Sequence, residues 1–191
     1  MTSALLTLSS GRVRLRRWRD ADRDAFAAIN ADARVMEFFP VPLTRARSDA
    51  MIDYIEGHFD RHGFGLWALE LPGVAPLIGF TGLLVPRFTA HFTPCVEIGW
   101  RLAYAHWGNG YATEAARLAL AHVFGTLGLS DVVSYTTVAN RRSRAVMERL
   151  GMRRDPAEDF DHPELPTDHP LCRHVLYRLR ADAFAVSGLR P

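Results

Sequence analysis

The sequence predicts an α/β protein with a central mixed sheet of about six or seven strands and helices on both faces. Two observations lead to this fold class. Segments with the alternating pattern of strands are interspersed with segments that carry apolar residues at helical spacing, and Gly and Pro residues separate them. The 191 residues, 48% of them hydrophobic, are also enough to bury the core of one domain. Such an order of strands and helices is typical of layered mixed domains.

The first half of the chain is predicted to contribute three strands and two helices. Apolar and basic residues alternate over 13–18, which predicts a strand, and acidic residues then favour a helix from 20 to about 31. Apolar residues at helical spacing over 44–63 predict a second helix, ending at a Gly. Two β-type runs, 65–70 and 77–84, follow on either side of a Pro-Gly turn.

The second half is predicted to alternate between strands and helices. Strands are predicted at 96–102 and 131–137. A helix is predicted after each of them, at about 111–127 and at 140–150, and a Gly follows each helix.

The C-terminal region is predicted to combine a long loop with one more strand. Residues 155–170 hold four prolines, so we expect them to begin as a strand and to continue as a surface loop that contacts substrates. A last strand is predicted at 174–179, and residues 187–191 are expected to be frayed. We expect residues 1–191 to form a single domain with its core over about 12–180.

Composition and charge narrow the classes of function. The net charge of +2 comes from 23 basic and 21 acidic residues that are spread along the chain, without the dense basic block of a general nucleic-acid binder. The chain has no run of about 18 apolar residues, and its first six residues lack a charged leader. We therefore expect a cytoplasmic protein without nucleic-acid or membrane partners, and leave a homodimer open.

Cysteine and histidine spacing gives no sign of a metal site. Cys95 and Cys172 do not form a CxxC pair, which argues against a thiolate zinc site or a disulfide framework. His58 and His62 have the spacing of a zinc-binding pair, but the segment lacks the Glu of HExxH. We expect no metal, and no covalent role for the cysteines.

The segment 107–113, WGNGYAT, stands between a strand pattern and a helix pattern. Small residues let the main chain approach a ligand, and the free amides at a helix N-terminus favour a phosphate. The glycines alone also suit an ordinary strand-to-helix turn. Neither GxxxxGK[ST] nor a complete GxGxxG is present, which argues against nucleoside triphosphate and dinucleotide sites.

Three segments in order resemble the GCN5-related N-acetyltransferase (GNAT) superfamily, in particular its branch similar to ribosomal-protein alanine N-acetyltransferases of the RimJ/RimL type. They are VEIGWRL at 96–102, WGNGYATEA at 107–115, and ANRRS continuing to ERLGM over 139–152. The resemblance implies a GNAT-type acyl-CoA N-acyltransferase fold and acetyl-CoA as the acyl donor. It also implies transfer to a primary amine, either a protein N-terminus or a small molecule.

The resemblance further implies which residues hold acetyl-CoA. The family pattern Q/R-x-x-G-x-G/A maps to 107–112, where Gly110 and Ala112 match and Trp107 departs from Gln or Arg. Main-chain amides would therefore hold the phosphates, and the stretch from Arg101 would pair with the pantetheine arm. The residues assigned to the cofactor are Arg101, Leu102, Ala103, Trp107, Gly108, Asn109, Gly110, Tyr111, Ala112, Thr113, Asn140 and Ser143.

Asn140 and the basic residues after it have a structural alternative. Asn140 opens a predicted helix, so its side chain would serve either as an N-cap or as a pantetheine contact. The resemblance places Arg141, Arg142 and Arg144 near the adenosine phosphate, although a solvated helix face explains them equally well.

The chemistry calls for a base at the amine and an acid at the sulfur. Many relatives carry an acidic Tyr seven residues after the Asn, and Met147 occupies that position here. Ser143 is the predicted substitute, with an ordinary helix residue as the alternative. Glu97 and His91 are the candidate bases, acting through water, although an ion pair and a loop position would also explain them.

The candidate acceptor contacts are Phe38, Phe39, Trp67 and His162. Aromatic residues are more often part of a core than of a recognition surface, so a core position is the alternative for Phe38, Phe39 and Trp67, whereas His162 would reach the acceptor from the long loop. Met147 also motivates a second function class, a catalytically silent acyl-CoA-binding module. A structural or adaptor domain is the third class, in which segment 107–113 would be an ordinary turn.

Overall fold

A computed structural model of the chain describes residues 7–186. Two predictions concern residues outside this range: that residues 1–6 lack a charged leader, and that residues 187–191 are frayed. The strands are β1 (Leu8–Ser9), β2 (Arg14–Arg16), β3 (Leu66–Leu71), β4 (Ala75–Leu84), β5 (Glu97–Leu102), β6 (Asp131–Thr137), β7 (Arg153–Arg154), β8 (Phe160–Asp161) and β9 (Arg173–Arg180). The helices are α1 (Arg23–Ala31), α2 (Arg45–His62), α3 (Tyr111–Gly125), α4 (Arg141–Arg149) and α5 (Ala181–Val186).

The strands form one mixed sheet, as predicted. Their order is β1-β2-β3-β4-β5-β6-β9-β7, with β8 also paired to β9. All recorded pairs are antiparallel except that between β5 and β6, which is parallel. Every residue of β3 is buried, which requires cover on both faces of the sheet.

Helix α2 begins and ends at the predicted residues, because a side-chain cap and a glycine define its two ends. Thr44 caps α2, because its hydroxyl accepts a hydrogen bond from the backbone N–H of Arg47. Gly63 ends the same helix with φ of 75°, a conformation that favours glycine. Among the strands, β6 begins and ends at the predicted residues, Asp131 and Thr137.

The sheet has more strands than the predicted six or seven. The additional strands β1, β7 and β8 are two residues long, too short for an alternating pattern to be recognisable. The region from residue 155 does not begin as a strand. The Asp155 carboxylate accepts from the Ala157 N–H, and Pro156 follows it, so a 3₁₀ turn forms over Pro156–Glu158.

Trp67 lies in the core. It is fully buried on β3, with the rings of Phe59 from α2 and His122 from α3 packed edge-on against it at 5.2 and 6.0 Å. The prediction that Trp67 contacts the acceptor is therefore wrong, because its side chain is enclosed by helices. Over residues 7–186, no helix is both long and apolar enough to cross a membrane.

Candidate active site

Strands β5 and β6 lie together at one end only. Their recorded pair joins Glu97 to Val133, and the Val133 N–H donates to the Val96 carbonyl at 2.9 Å. Further along, no other pair between these strands is recorded in the described chain, although β5 stays paired with β4 to Leu102 and β6 with β9 to Thr137. The strands diverge and leave the inner edge of β5 free for an extended ligand.

A cleft of about 1670 Å³ opens at this divergence. It exceeds the roughly 300–1,000 Å³ of a typical small-molecule site, so it has room for two substrates. Most of the predicted site residues line it, from all three motif segments and from the proposed acceptor wall. They are Phe38, Phe39, Glu97, Arg101, Leu102, Trp107, Gly108, Asn109, Gly110, Tyr111, Ala112, Thr113, Asn140, Ser143 and His162.

The loop before α3 has the geometry of an anion site. Gly108 and Gly110 adopt φ of 79° and 80°, which favours glycine. A Cβ at Gly108 would meet no atom within 4 Å, and one at Gly110 would meet only the Arg12 guanidinium, at 3.7 Å. Gly110 is also the N-cap of α3 and supplies no side-chain cap, so the first N–H groups of α3 are free to bind a phosphate.

Polar side chains of this loop hold the loop itself in place. The Trp107 indole N–H donates to the Leu102 carbonyl at 2.8 Å, which ties the loop to the end of β5. The Asn109 side-chain amide donates to the carbonyls of His106 and Trp107. The Trp107 and Asn109 side-chain donors are therefore engaged within the protein, and the main-chain amides at the start of α3 are the groups left available to an anion.

The start of α4 presents Asn140 and Ser143 to the cleft. Asn140 is the N-cap: its Oδ1 accepts from the Ser143 N–H at 3.2 Å, and its Nδ2 donates to the Thr136 hydroxyl at 2.9 Å. The Ser143 hydroxyl has no hydrogen-bond partner in the described part of the chain, so it is free to bind a ligand. Met147 is 1% exposed and belongs to the core.

Glu97 has a partner that the sequence did not reveal. The Tyr135 hydroxyl donates to its Oε2 at 2.6 Å. Burial raises the pKa of Glu97 to about 7, although the Tyr135 hydrogen bond acts in the opposite direction. Burial, followed by the neighbouring Glu97 charge, raises the pKa of Tyr135 above its usual range, so the phenol keeps its proton. Tyr135 lies two positions beyond Val133, the residue paired with Glu97, but only the parallel pairing reveals this relationship.

His91 and Ala103 are not brought into the cleft. His91 is exposed, its ring packs edge-on against Phe92 at 5.2 Å, and it does not line the cleft, so it is not positioned to act as the base. The Ala103 N–H donates to the Ile78 carbonyl at 2.8 Å, which makes this amide unavailable to a ligand. The predictions of His91 as a base and of Ala103 as a cofactor contact are therefore corrected.

The predicted acceptor side is lined with aromatic rings. Phe38 and Phe39 come from the connection between α1 and α2. The His162 ring packs against Phe88 at 4.8 Å and against His174 at 5.1 Å. Burial lowers the pKa of both His162 and His174, which favours neutral rings.

The basic residues of α4 have separate partners. Arg142 forms an ion pair with Glu37 and lies over the Trp107 ring at 4.7 Å. Arg144 donates to the Val138 carbonyl at 3.0 Å and lies outside the cleft lining, which favours the helix-face alternative for this residue. Arg141 lines the cleft.

Cysteines and the histidine pair lie outside this chemistry. Cys95 is half-buried, and burial raises the pKa of its thiol to about 11. The His58 ring nitrogens contact the Phe64 carbonyl and the Val85 N–H, at 2.8 and 3.1 Å. His58 is therefore explained by its structural hydrogen bonds.

The match to a family model decides the classification. A model described as an acetyltransferase (GNAT) domain matches residues 12–153. The chain belongs to this family. Membership in the GNAT family supports acetyl-transfer activity, and GNAT acetyltransferases use acetyl-CoA.

Three proteins similar to this chain are named as acetyltransferases or transacetylases. An acetyltransferase structure from Agrobacterium tumefaciens is 28% identical with a TM-score of 0.73, and the match covers 94% of this chain and 97% of that one. The ribosomal L7/L12 α-N-protein acetyltransferase RimL is 12% identical with a TM-score of 0.74 over 94% of this chain and 97% of RimL, which shows the fold alone. The FsC-acetyl coenzyme A-N(2)-transacetylase of Aspergillus fumigatus is 42% identical over 97 residues, 44% of this chain and 41% of that protein.

Proposed function

We propose that this GNAT acetyltransferase transfers the acetyl group of acetyl-CoA to a primary amine by direct attack while both substrates occupy the cleft. The acceptor is a protein N-terminus or a small amine, and residues 1–191 act as one domain. The observation that carries the proposal is the presence in one cleft of an uncapped helix N-terminus, at Gly110, and a carboxylate with a pKa near neutrality, at Glu97.

The residues that would hold acetyl-CoA lie along the diverging strand and the loop after it. The amides of Gly108 to Ala112 would bind its phosphates, the main chain at Arg101 and Leu102 its pantetheine arm, and Asn140 would support that arm from α4. When bound, acetyl-CoA supplies an activated acyl carbon and a thiolate leaving group. The open space in front of Gly108 and Gly110 fits such a ligand.

Glu97 would accept the proton of the amine, and Ser143 would stabilise the charge that develops on the sulfur. Glu97 accepts a proton from the acceptor amine, directly or through one water, and Tyr135 keeps the carboxylate oriented by its hydrogen bond. The amine nitrogen would form its bond to the acyl carbon as the carbon–sulfur bond breaks, and the sulfur would leave as the thiolate. The Ser143 hydroxyl donates a hydrogen bond to the departing sulfur. Holding both substrates in one cleft supplies much of the acceleration.

The first test is calorimetric titration of acetyl-CoA against wild type, Gly110→Trp and the control Gly73→Trp. Gly73 has a similar φ, 75°, and a Cβ there would meet no atom within 4 Å, but it lies in the β3–β4 turn outside the cleft. We expect saturable binding in the wild type and the control, and loss of binding in Gly110→Trp. Amine-dependent release of free thiol then tests catalysis. Binding without thiol release across a broad amine panel would favour the silent binding module, and no wild-type binding would overturn the proposal.

A further inference from the structure

Arg101 places a buried positive charge on the wall of the cleft. Its residue is 8% exposed, and its Nη1 donates to the Asn30 Oδ1 at 2.6 Å. Its Nε has no hydrogen-bond partner in the described chain, and none of the described carboxylates forms an ion pair with it. Burial lowers the pKa of Arg101 to about 10, so the guanidinium still carries its charge at neutral pH.

A second buried arginine in the same protein shows what Arg101 lacks. Arg16 is 3% exposed, and it pairs with Asp22 at 2.7 Å and with Glu70 at 2.8 Å. A buried cation is costly unless an anion and hydrogen bonds compensate it. Arg101 has one neutral amide in place of those two carboxylates, so an anion from outside the chain would complete its surroundings.

Aromatic rings hold the Arg101 guanidinium in a fixed place. Its central carbon lies 4.2 Å from the ring centre of Phe39 and 5.4 Å from that of Phe80. Because Arg101 is only 8% exposed, water has little access to it, and such surroundings strengthen a charge-assisted hydrogen bond. The planar fork of an arginine matches the two oxygens of a carboxylate better than it matches any neutral group.

The position of Arg101 relative to Glu97 suggests a single ligand that reaches both. Side chains alternate along a strand, so Glu97, Gly99 and Arg101 share one face of β5. A Cβ at Gly99 would have only one neighbour within 4 Å, the Glu97 Oε1 at 3.8 Å, so the face of the strand at Gly99 is open. Four strand residues span about 13 Å between Cα atoms, which is the interval that a ligand between the two side chains would bridge.

We propose that Arg101 binds a carboxylate of the acceptor, so that the acceptors are small amino carboxylic acids, with the amine at Glu97 and the carboxylate at Arg101. The inference rests on the proposed function and deepens it, because it names the substrate class of the same cleft. The acceptor's carboxylate would only bind to the Arg101 guanidinium and would not react, so this proposal adds no chemical step.

The test compares ω-amino acids of two to six carbons with their carboxamides, which are equal in length but neutral at that end. Thiol release from acetyl-CoA gives kcat/KM for each pair. For the best chain length we expect the wild type to prefer the acid by about tenfold or more, as for a hydrogen bond to a charged group. In Arg101→Gln we expect the ratio to fall to near one. Because the acid and the carboxamide are compared in the same variant, the ratio of their kcat/KM values does not change with a general loss of activity.

Asn30→Asp provides a second variant that keeps the guanidinium. It is nearly isosteric and places a carboxylate beside Arg101 Nη1, where Asn30 Oδ1 now lies at 2.6 Å. This internal anion should remove the preference for acids while Arg101 remains in place. An unchanged acid preference in both variants, or equal rates for acids and carboxamides in the wild type, would overturn the inference.

Calorimetry separates failure of this inference from failure of the proposed function. The CoA-loaded protein is titrated with N-acetylated ω-amino acids and with their carboxamides. If no amine releases thiol, the proposed function fails, but Arg101-dependent binding of the acids would still support the carboxylate site. Absence of that binding overturns the site. Weaker binding of acetyl-CoA to Arg101→Gln, with an unchanged acid preference, would assign the guanidinium to the donor and would also overturn it.

Discussion

The Tyr135 hydroxyl donates a 2.6 Å hydrogen bond to Glu97 where β5 and β6 begin to diverge. Two effects therefore act on the same carboxylate. Burial favours its protonated form, whereas the hydrogen bond favours its charged form, and the balance is a pKa of about 7. A base with this pKa is half ionised near neutral pH, which suits removal of a proton from an amine.

Tyr135→Phe should move the acid limb of the pH–rate profile to higher pH. Loss of the hydrogen bond removes an effect that lowers the pKa of Glu97, so the carboxylate should lose its proton only at higher pH. A hydrogen bond to a charged group contributes roughly 1.5–3 kcal/mol, which predicts a shift of about one pH unit or more in kcat/KM. An acid limb that stays in place in Tyr135→Phe would show that Glu97 is not the titrating base.

Glu97→Gln should raise the melting temperature at pH 8 but leave it nearly unchanged at pH 4. The folded-state pKa of about 7 lies above the unfolded value near 4.5, so ionisation opposes folding as pH rises from 4.5 through 7. Below pH 4.5 the carboxyl is protonated in both states and the penalty vanishes. Thermal melts of both proteins at the two pH values test this, and a constant difference between them would contradict it. Activity should fall by about 10²–10⁴ in the same variant.

Ser143→Ala should lower kcat by about tenfold while leaving the Kd of acetyl-CoA almost unchanged. The Ser143 hydroxyl has no partner among residues 7–186, and a hydrogen bond that forms only to developing charge on sulfur affects turnover more than binding. Ser143→Thr keeps a hydroxyl and serves as the matched control. Equal kcat in wild type and Ser143→Ala would remove this residue from the chemistry.

Asn140→Ala should lower stability by about 1 kcal/mol, because it removes the N-cap of α4. It should also raise the KM for acetyl-CoA. Asn140→Asp retains the capping oxygen but not the amide donor, so urea melts and kinetics of the two variants separate the roles. If Asp restores both stability and KM, the residue acts through the cap. An unchanged KM in Asn140→Ala would exclude any part in acetyl-CoA use.

Features set by nearby residues could be predicted from the sequence. Thr44 and Gly63 mark the ends of α2 through contacts within a few residues, and the loop before α3 follows from its glycines. Trp67 shows the limit of this reasoning. Its residue type is equally compatible with a pocket wall and a core, and only the packing of two distant helices places it in the core.

Relationships between distant segments could not be predicted. Tyr135 reaches Glu97 because β5 and β6 pair in one register, and Arg12 reaches Glu114 and the Asn109 carbonyl from 102 and 97 residues away. The charge on Arg101 is visible in the sequence, but the absence of a carboxylate beside it among residues 7–186 depends on how distant segments pack around it.

Beyond their one recorded pair, strands β5 and β6 diverge. The gap between them, here called the seam, separates strands β1–β5 from strands β6–β9. An extended ligand in that seam would act as a short additional strand, with its amide groups bonded to the free edge of β5. Its binding energy would then also hold β1–β5 against β6–β9. Amide hydrogens on both sides of the seam should exchange more slowly when acetyl-CoA is present, and donor binding would then organise the surface proposed to hold the acceptor.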